Sequence, residues 1–407
     1  MPLSADQRSV MFIDYLSVEQ VYPFDLPKIA DITIERYCSR TGERLSVSQP
    51  GVKYEGSHST SISIRVDGRK LIIQGNPSAV DRLDNLFGYQ TVEQCVAVYN
   101  RILANLRDEA GNPVHMPMLS KCTRLEFMQA PASRVIRKKR EGASGTIQTV
   151  ETTHRHTTVG DGMRITRIDL TTNRAVGQGN EFQYVSSLST QRAGYKPGHL
   201  YEDGCTVDWQ ARDQYRKAYI KAKAIAKFLL PKARRNFGDD SPEVKYLRDL
   251  IAYCDANGVV RMEQELKREY LLREGLCWWG LFDESRFQTI HNAFLKIDDR
   301  LKVTAMDFET ISDHLISEGV VKDVRAANTT AMYAINWMTG KAKFDFTKRS
   351  IQTHRARLRR IGIDIANPCD ALKVRPVVHV ASREVIPVDV LPIPTWYRRP
   401  NHLQVAA

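Results

Sequence analysis

The sequence predicts an α+β protein, in which an antiparallel sheet carries helices on one face and a mainly helical C-terminal domain follows. Two observations predict this fold. The first third of the chain alternates apolar and polar residues with a period of two, as half-buried strands do. After about residue 298 the apolar residues recur at helical spacing. We therefore expect one domain at residues 11–298, with an insertion at about 130–162, and a second domain at 301–407.

Local patterns place the elements of the first domain in order. Asp67-Gly68 lies between two alternating runs, 59–65 and 70–74, which predicts a β-hairpin. Apolar residues three and four positions apart predict a helix at 91–106. The stretch 130–162 is polar and has no period, so we expect a mobile loop there. The same criteria predict further strands at 121–128, 164–171 and 259–266, a helix at 215–230, and a short helix from the last strand through residue 272.

The C-terminal part is expected to contain a helix–turn–helix between residues 330 and 361. Its second helix, 348–360, holds six Lys and Arg residues and no acid. From Val374 onward several prolines oppose helix formation, so the tail is expected to be extended.

The charge balance favours a polyanionic partner. The chain has 59 Lys+Arg and 47 Asp+Glu, a formal net charge of +12. The window 211–235 alone holds nine basic residues and one acid, and a third basic stretch lies at 134–140. One interpretation is that these are solvated faces. The other is contact with phosphates, which gives salt-dependent affinity without sequence information.

Composition excludes several other classes of protein. The chain is 42% hydrophobic and 26% charged, which is ordinary for a globular protein and unlike a disordered one. The chain contains no run of 18 apolar residues, so neither a membrane-spanning helix nor a membrane partner is predicted. No signal peptide is visible. Seven cysteines without C-x-x-C spacing oppose structural zinc and a disulfide framework, and suit a reducing cytoplasm.

One short pattern, an Arg followed two positions later by an acid, recurs on three predicted strands. The three copies are Arg124-Leu-Glu126, Arg167-Ile-Asp169 and Arg261-Met-Glu263. Residues i and i+2 of a strand share a face. If the strands are neighbours, the carboxylates could converge on one divalent cation, and Mg²⁺ needs only one or two of them. The alternative is three separate ion pairs on a solvated sheet face.

Tyr219 lies at the centre of the most basic window, and Tyr215 is four residues earlier on the same face of the predicted helix. A tyrosine that attacks a DNA phosphodiester leaves a 5′-phosphotyrosyl link and a free 3′-OH. Lys221 could stabilise the charge on the phosphate oxygens. The two tyrosines could act in turn, or they could simply pack the helix against a sheet.

The chain resembles the filamentous-phage replication initiators of the gene II/X family. The resemblance covers about the first 275 residues and depends on the order and spacing of seven segments: 12–16, 73–78, 84–88, 165–171, 203–209, 217–221 and 260–271. It implies a rolling-circle nickase fold in which a helix carrying the tyrosine lies over the sheet. It also implies an enzyme that nicks the plus strand of replicative-form DNA, stays on the 5′ end and later rejoins the displaced strand. Host helicase and DNA polymerase are implied partners, in the cytoplasm of a bacterial host.

The resemblance also assigns residues. The family's active tyrosine falls on Tyr219 and its following lysine on Lys221, whereas Tyr215 has no clear counterpart. Asp169 and Glu263 are implied ligands of Mg²⁺ or Mn²⁺. Other tyrosine nickases use two histidines where this chain has Arg167-Ile-Asp169, which indicates oxygen ligands. Glu126 is a third possible ligand, and the expected DNA contacts are Arg167, Lys217, Lys223, Arg261, Lys267, Arg349, Arg355 and Arg357.

Three alternative functions remain open at this level. A plasmid relaxase or a transposase would share the tyrosine chemistry on a different DNA. A non-catalytic DNA-binding repressor would explain the charge without chemistry. An RNA-binding protein is disfavoured, because its sheet face would be rich in aromatic residues and the aromatic content here is only 8%.

Overall fold

The computed structural model describes most of the chain. Its described residues are 11–30, 32–48, 50–55, 60–108, 111–139, 146–297, 308–338, 344–361, 363–366, 386–388 and 391–398. Within these ranges, side chains are not described at 46–48, 128–139, 146–157, 308–310, 338 and 387. No helix in the described part combines the length and the apolar character needed to cross a bilayer.

The fold is built on one large antiparallel sheet. Its strands are β1 (Phe12–Val21), β4 (Val52–Glu55), β5 (Ser61–Asp67), β6 (Lys70–Gly75), β9 (Arg164–Ala175), β12 (His199–Leu200), β13 (Thr206–Gln210), β14 (Gln214–Ile220), β15 (Val259–Lys267) and β16 (Ile386–Pro387). Their order is β12-β13-β14-β15-β9-β1-β6-β5-β4, and β16 pairs with the end of β9. Three hairpins stand outside this sheet: β2 (Ile34–Tyr37) with β3 (Arg44–Ser48), β7 (Leu125–Lys139) with β8 (Thr146–Gly160), and β10 (Arg192–Ala193) with β11 (Lys196–Pro197).

The helices of the described residues pack on both faces of the large sheet and in a separate C-terminal core. They are α1 (Val92–Ala104), α2 (Glu181–Ser189), α3 (Lys221–Ala224), α4 (Leu230–Phe237), α5 (Pro242–Asn257), α6 (Arg268–Arg273), α7 (Ser285–Leu295), α8 (Phe308–Ser317), α9 (Val324–Met338) and α10 (Arg349–Arg360). A π-helical turn, Ile225–Leu229, joins α3 to α4. Helices α1, α2, α6 and α7 contribute to the apolar cores with the inward residues of the strands. Helices α3, α4 and α5 instead pack with Ala175 and Val259, at one end of the opposite face.

The two faces of the sheet differ in chemistry because strand residues alternate. Ile168 and Leu170 of β9 point to the helix-covered face, together with Met262 and Leu266 of β15. The residues between them point the other way and are polar or charged. This second face, which we call the polar face, carries the following side chains of β9, β14 and β15: Arg167, Asp169, Thr171, Asn173, Tyr215, Lys217, Tyr219, Arg261, Glu263 and Glu265.

Several predictions from local patterns are confirmed. The hairpin at Asp67-Gly68 is β5–β6, and Gly68 has the positive φ of +60° that such a turn requires. Helix 91–106 is α1, which begins with a capping box formed by Thr91 and Gln94. The strands predicted at 164–171 and 259–266 are β9 and β15, and the latter is followed by α6.

Two predictions about secondary structure are wrong. Residues 214–220 form strand β14 rather than the start of a helix, and the helix begins only at Lys221. Residues at i and i+4 share a face in both structures, so the spacing of Tyr215 and Tyr219 did not separate them; pairing with β13 on one side and β15 on the other decides for the strand. The stretch 130–162 is not an irregular loop, because it contributes to two 15-residue strands in the β7–β8 hairpin.

The C-terminal helices α8, α9 and α10 share a core of their own. It includes Ile311, Leu315, Ala331, Trp337 and Leu358. The predicted second helix of the helix–turn–helix is α10, and residues 339–343 in the connection before it are not described. Most of the tail from Val374 also lies outside the described residues, but 386–388 and 391–398 return to the large sheet and to α5.

Candidate active site

Tyr219 lies near the C-terminal end of strand β14 and points into a cluster of charged groups on the polar face. Its hydroxyl donates a hydrogen bond of 2.5 Å to Oε1 of Glu263 on the neighbouring strand β15. The phenol is half-buried, and burial together with the charge of Glu263 raises its pKa well above the ordinary value of 10. In this arrangement the hydroxyl is protonated at neutral pH and has a defined orientation.

Glu263 is the centre of this cluster. Its second oxygen, Oε2, lies 2.5 Å from the ammonium of Lys217, which is its direct partner in the β14–β15 register. Although burial opposes ionisation, the charges of Lys217 and Arg261 lower the pKa of Glu263 to about 2. The side chain is 4% exposed, so the charge is held inside the protein by its partners rather than by water.

Asp14 of β1 faces Glu263 from the other side of the cluster. Amide groups hold its Oδ1: Nδ2 of Asn76 donates at 2.7 Å, and Nδ2 of Asn85 donates a second hydrogen bond. Its Oδ2 lies 3.7 Å from the guanidinium of Arg261. Burial and the charge of Glu263 raise the pKa of Asp14, which shows that the two carboxylates repel each other.

Lys221 is the most unusual cation at the site. It is the first residue of α3, is 4% exposed, and donates to Oδ1 of Asn85 at 2.9 Å. Burial and the neighbouring guanidinium of Arg261 lower its pKa to about 7. A neutral amine is therefore accessible at this position near neutral pH, whereas an exposed lysine would be fully charged.

Arg261 ties the cluster to the loop between β6 and α1. Its guanidinium is fully buried and donates to Oδ1 of Asn173 at 3.0 Å, to Oδ1 of Asn85 at 3.1 Å and to the carbonyl of Asn85 at 2.5 Å. A Cβ at Gly88 in the same loop would lie 2.4 Å from the ring of Phe12, so only glycine lets the loop approach β1 this closely. The loop therefore places Asn85 between Lys221, Arg261 and Asp14.

The far side of this loop is held by the C-terminal tail. Asp84 is buried, and its Oδ1 accepts a hydrogen bond of 3.0 Å from the hydroxyl of Tyr397 while its Oδ2 accepts one of 2.7 Å from Tyr246 of α5. The Tyr397 hydroxyl also accepts from Arg82 at 2.7 Å and from the backbone N–H of Phe87 at 3.2 Å. A residue more than 300 positions away in sequence thus supports the loop that carries Asn85.

Asp169 lies beside this cluster rather than in it. Both of its oxygens accept from Arg167, at 2.9 and 2.7 Å, and the same guanidinium is 3.1 Å from Glu265. Burial, assisted by the charges of Glu263 and Glu265, raises the pKa of Asp169 to about 6. The cross-strand partner of Asp169 is Glu265, so Glu263 is its diagonal neighbour.

Two of the three Arg-x-acid strands are neighbours, as the sequence suggested, and the third is not. Strands β9 and β15 pair directly and place Asp169 and Glu263 on one face. Glu126 lies on the β7–β8 hairpin, where it is exposed and 3.5 Å from Arg124. Among the described strands β7 pairs only with β8, so the condition for convergence holds for β9 and β15 and fails for the strand of Glu126.

The polar face offers few carboxylates to a hard divalent cation. No group of three or more His, Cys, Asp or Glu side chains in the described residues is arranged to hold a metal. Mg²⁺ in nucleic-acid enzymes needs only one or two carboxylates, because waters and substrate phosphates complete its shell. Asp14 and Glu263 supply two carboxylates, and their oxygens are already engaged: those of Glu263 by Tyr219 and Lys217, and those of Asp14 by Asn76, Asn85 and Arg261. A cation at this position would use the second lone pair of these oxygens.

The remaining predicted residues are distributed around the site. Tyr215 shares the face of Tyr219 but donates to Oδ2 of Asp208 at 2.8 Å, which together with burial raises its pKa. Lys223 is exposed on α3, and Lys267 is half-buried at the end of β15. Three further predicted residues lie on α10: Arg349, Arg355 and Arg357. This helix packs in the separate C-terminal core and not in the cores of the large sheet.

Sequence reasoning missed Asp14, Asn76, Asn85 and Asn173. No local pattern marks these side chains as functional, because an isolated Asp or Asn is more often a turn or surface residue. A signal existed nevertheless: Asp14, Asn76 and Asn85 each fall in one of the seven segments that carried the resemblance. Those segments, scattered over 260 positions, converge on the polar face.

Comparison with known proteins gives two matches. Residues 315–403 match the family model described as "Replication-associated protein G2P C-terminal". Over 350 residues the chain is 44% identical to the Replication-associated protein G2P of Escherichia phage If1, which covers 85% of this chain and 99% of that protein. No solved structure matches the chain.

Proposed function

This chain belongs to the Replication-associated protein G2P family of filamentous-phage replication initiators, and on that premise we propose that it nicks the plus strand of double-stranded replicative-form DNA at the origin. Tyr219 is the proposed nucleophile. The observation that carries the proposal is the hydrogen bond from Tyr219 to Glu263, inside a cluster of carboxylates and cations on an otherwise polar sheet face. Rolling-circle synthesis would start from the 3′-OH that the cut leaves.

The proposed reaction is a phosphoryl transfer to tyrosine. Oη of Tyr219 attacks the phosphorus in line, and the bond from phosphorus to the 3′ oxygen breaks. Overall, the phenol loses one proton and the new 3′-OH gains one. The 5′ phosphate stays on the protein. The reverse transfer, from Tyr219 to a 3′-OH, rejoins the displaced strand into a circle and restores the phenol.

Activation of Tyr219 has to overcome its raised pKa. Glu263 accepts the hydroxyl hydrogen and orients Oη, but a carboxylate with a pKa of about 2 is a weak base. The negative charge of Glu263 is itself one reason why the phenol holds its proton. Any positive charge that arrives with the substrate complex therefore favours the phenolate.

A divalent cation, Mg²⁺ or Mn²⁺, would supply that charge and would polarise the scissile phosphate. We propose that Glu263 and Asp14 hold it, with Asp169, the diagonal strand neighbour of Glu263, as a further carboxylate. Thr171 supports this placement, since its buried Oγ1 has no hydrogen-bond partner in the described residues and its strand position faces Glu263. Glu126, on its separate hairpin, is not included in this set.

Lys221 and Lys217 are proposed to bind the phosphate oxygens on either side of Tyr219. Negative phosphate would favour the protonated form of Lys221, whose pKa is lowered to about 7 in the free protein. Arg261 is buried and holds Asn85 in place, so its proposed role is to position that loop rather than to contact DNA. Exposed Lys223 is a proposed backbone contact at the edge of the site.

Tyr215 is a proposed second nucleophile, which would cut the displaced strand and release the 3′-OH that then attacks the Tyr219 link. It lies on the same face of β14 as Tyr219, two strand repeats away, and its hydroxyl is held by a different carboxylate, Asp208. Separate partners would let the two phenols be activated independently.

Several further assignments are carried by family membership. We propose that the partners are origin DNA, the displaced single strand, and the host helicase and DNA polymerase. We also propose that the protein acts in the cytoplasm of the bacterial host. Arg167, Lys267 and the exposed arginines of α10 are the remaining proposed DNA contacts. Arg167 and Lys267 lie along the polar face, and α10 belongs to the C-terminal core.

A nicking assay on supercoiled DNA that carries the phage origin tests the proposal. We expect wild-type protein with Mg²⁺ to nick the plus strand and to remain covalently attached to the 5′ end. EDTA and Tyr219→Phe should each abolish attachment, whereas Tyr215→Phe should retain the first cut. Nicking by Tyr219→Phe would identify a different nucleophile. Binding without nicking by the wild-type protein would favour a repressor.

A further inference from the structure

A cavity of about 290 Å³ lies on the helix-covered face of the sheet, behind the polar face. Its walls are the β10–β11 hairpin on one side and α7 on the other, and strands β14 and β15 form its floor. Its lining combines basic, aromatic and apolar side chains: Arg192, Arg216, Gln264, Tyr270, Ile290 and Phe294 are the ones that matter here. No part of the proposed cleavage reaction uses this cavity.

Arg216 is the charged group at the floor of the cavity. It is the strand neighbour of Lys217, so its side chain points to the opposite face of β14. Its Nε is buried and has no hydrogen-bond partner in the described residues, and Nη2 donates to the neutral side chain of Gln214. No described carboxylate lies within 4.0 Å of it, whereas most arginines of the sheet have an acidic partner.

Burying a guanidinium without an acid is costly, and here the cost shows as a lowered pKa of Arg216. Asp213 and Tyr270 are the groups whose charges oppose this shift, and neither pairs with the guanidinium directly. His291, on α7, is buried and its pKa is lowered to about 3, so it stays neutral and adds no charge. The cavity therefore presents an uncompensated positive charge that an anion would neutralise.

Aromatic rings accompany this charge. The guanidinium of Arg216 lies 5.8 Å from the centroid of the Phe294 ring. Next to the lining residue Gly194, Tyr195 occupies the turn of the β10–β11 hairpin and is 80% exposed. Lys196 follows it. Arginines with exposed aromatic rings are the combination that proteins use to hold single strands, because each base can stack and each phosphate can be neutralised.

We propose that this cavity binds one unpaired nucleotide of a single DNA strand, with its phosphate at Arg216 and its base against Phe294. The exposed ring of Tyr195, next to the lining residue Gly194, would stack on the strand outside the cavity. The volume is at the small end of ligand cavities, which suits one nucleotide and excludes a base pair. The proposal rests on the proposed function for its ligand, because a protein that displaces the plus strand has unpaired nucleotides at hand. The cavity would hold that strand on the face opposite the cut.

Fluorescence anisotropy with a labelled oligothymidine tests the proposal. The full chain with Tyr219→Phe is used throughout, so that no cleavage occurs. We expect Arg216→Gln and Tyr195→Ser each to weaken single-strand binding by about fivefold or more, and to leave binding of origin duplex within about twofold. Arg216→Gln should also reduce the salt slope by about 0.7, the value for one phosphate contact on a single strand. Tyr37→Ser removes an exposed tyrosine from another hairpin and is the matched control.

Competition identifies what the cavity recognises. Thymidine monophosphate should displace the oligonucleotide from the protein with an intact Arg216 and not from Arg216→Gln, whereas inorganic phosphate at the same concentration should not displace it. Equal competition by inorganic phosphate would reduce the cavity to an anion site and overturn the nucleotide assignment. The nucleotide assignment is also overturned if both Tyr195→Ser and Arg216→Gln leave single-strand binding unchanged. The exposed side chain of Tyr195 contributes nothing to folding, so Tyr195→Ser remains a folded protein. Nicking is measured separately with Tyr219 present, so a failure of the cleavage proposal leaves these outcomes intact.

Discussion

The hydroxyl of Tyr219 and the carboxylate of Glu263 meet at 2.5 Å across two neighbouring antiparallel strands. The same carboxylate carries the ion pair to Lys217. One side chain therefore orients the proposed nucleophile, neutralises a buried cation and offers a ligand to a divalent ion. A change at Glu263 should affect all three properties.

Glu263→Gln preserves the shape of the side chain and removes its charge. We expect nicking to fall by about 10²-fold or more, because the oriented phenol and a cation ligand are lost together. Stability should fall by about 1–3 kcal/mol, since Lys217 loses its charged partner in a half-buried position. Origin nicking and urea unfolding measure the two effects.

Glu265→Gln is the matched control for that substitution. Glu265 lies two residues away on the same strand and the same face, but its partner is Arg167. We expect it to retain nicking within about threefold. Equal losses in the two variants would show that charge on the sheet face matters in general and that the contact with Tyr219 does not.

Lys221 gives a prediction about pH. Its pKa is about 7 in the folded protein and about 10.4 in an unfolded chain. Between these values the unfolded state binds more protons, so this group makes the free energy of unfolding rise with pH, by up to about 1.4 kcal/mol per pH unit. Below pH 7 both states are protonated and the slope vanishes.

Urea unfolding of wild type and Lys221→Met between pH 6 and 9.5 measures this contribution. The difference between the two proteins isolates it from cysteines and tyrosines that titrate nearby. We expect Lys221→Met to gain stability relative to wild type most strongly at pH 6, with the difference shrinking as pH rises. A difference that stays constant with pH would mean that Lys221 has an ordinary pKa.

The parts of the fold that local sequence predicted are those that short-range chemistry determines. The Asp67-Gly68 turn and the capped helix α1 need only their own residues to form, and both are found. Strand β14 was missed because Tyr215 and Tyr219 share a face in either structure, and only pairing with β13 and β15 excludes the helix. The family resemblance, by contrast, is confirmed by the relative and by the C-terminal family model.

The site divides in the same way. Tyr219 was selected because a tyrosine in a basic window can attack a phosphodiester, and Glu263 because it belongs to the repeated Arg-x-acid motif; the resemblance implied both, and the structure brings them into contact. Asp14 and Asn85 were not selected, since their roles depend on a loop that folds back over β1. Glu126 is the opposite case. The repeated motif grouped it with Asp169 and Glu263, but its strand β7 lies outside the large sheet.

Tyr397 provides a test of whether the tail supports the site. Its hydroxyl contacts Asp84, Arg82 and the backbone of Phe87, all in the loop that carries Asn85. Tyr397→Phe leaves the buried Asp84 carboxylate with one partner fewer. We expect a loss of about 1–3 kcal/mol in stability, and a several-fold loss of nicking that appears in kcat.

Tyr253→Phe is the control for that change. The Tyr253 hydroxyl is also buried and has no hydrogen-bond partner in the described residues, so its removal should leave stability unchanged or slightly raised. If both substitutions behaved alike, the hydrogen bonds of Tyr397 would be irrelevant to the loop.

Helix α10 gives the last prediction, in which the structure changes the choice of residues. Arg355, expected from sequence to contact DNA, is instead engaged in two hydrogen bonds with Asp364, at 2.7 and 3.1 Å, and Arg357 is half-buried near Thr330. Arg349 and Arg360 are exposed at the two ends of the helix. We expect the double variant Arg349→Gln/Arg360→Gln to reduce the slope of log affinity against log salt for duplex DNA by about 1.8, which corresponds to two phosphate contacts. Arg355→Gln should lower stability and leave the slope unchanged, because its charge is already neutralised within the protein. A slope that changes in Arg355→Gln but not in the double variant would place the DNA on the Asp364 side of the helix.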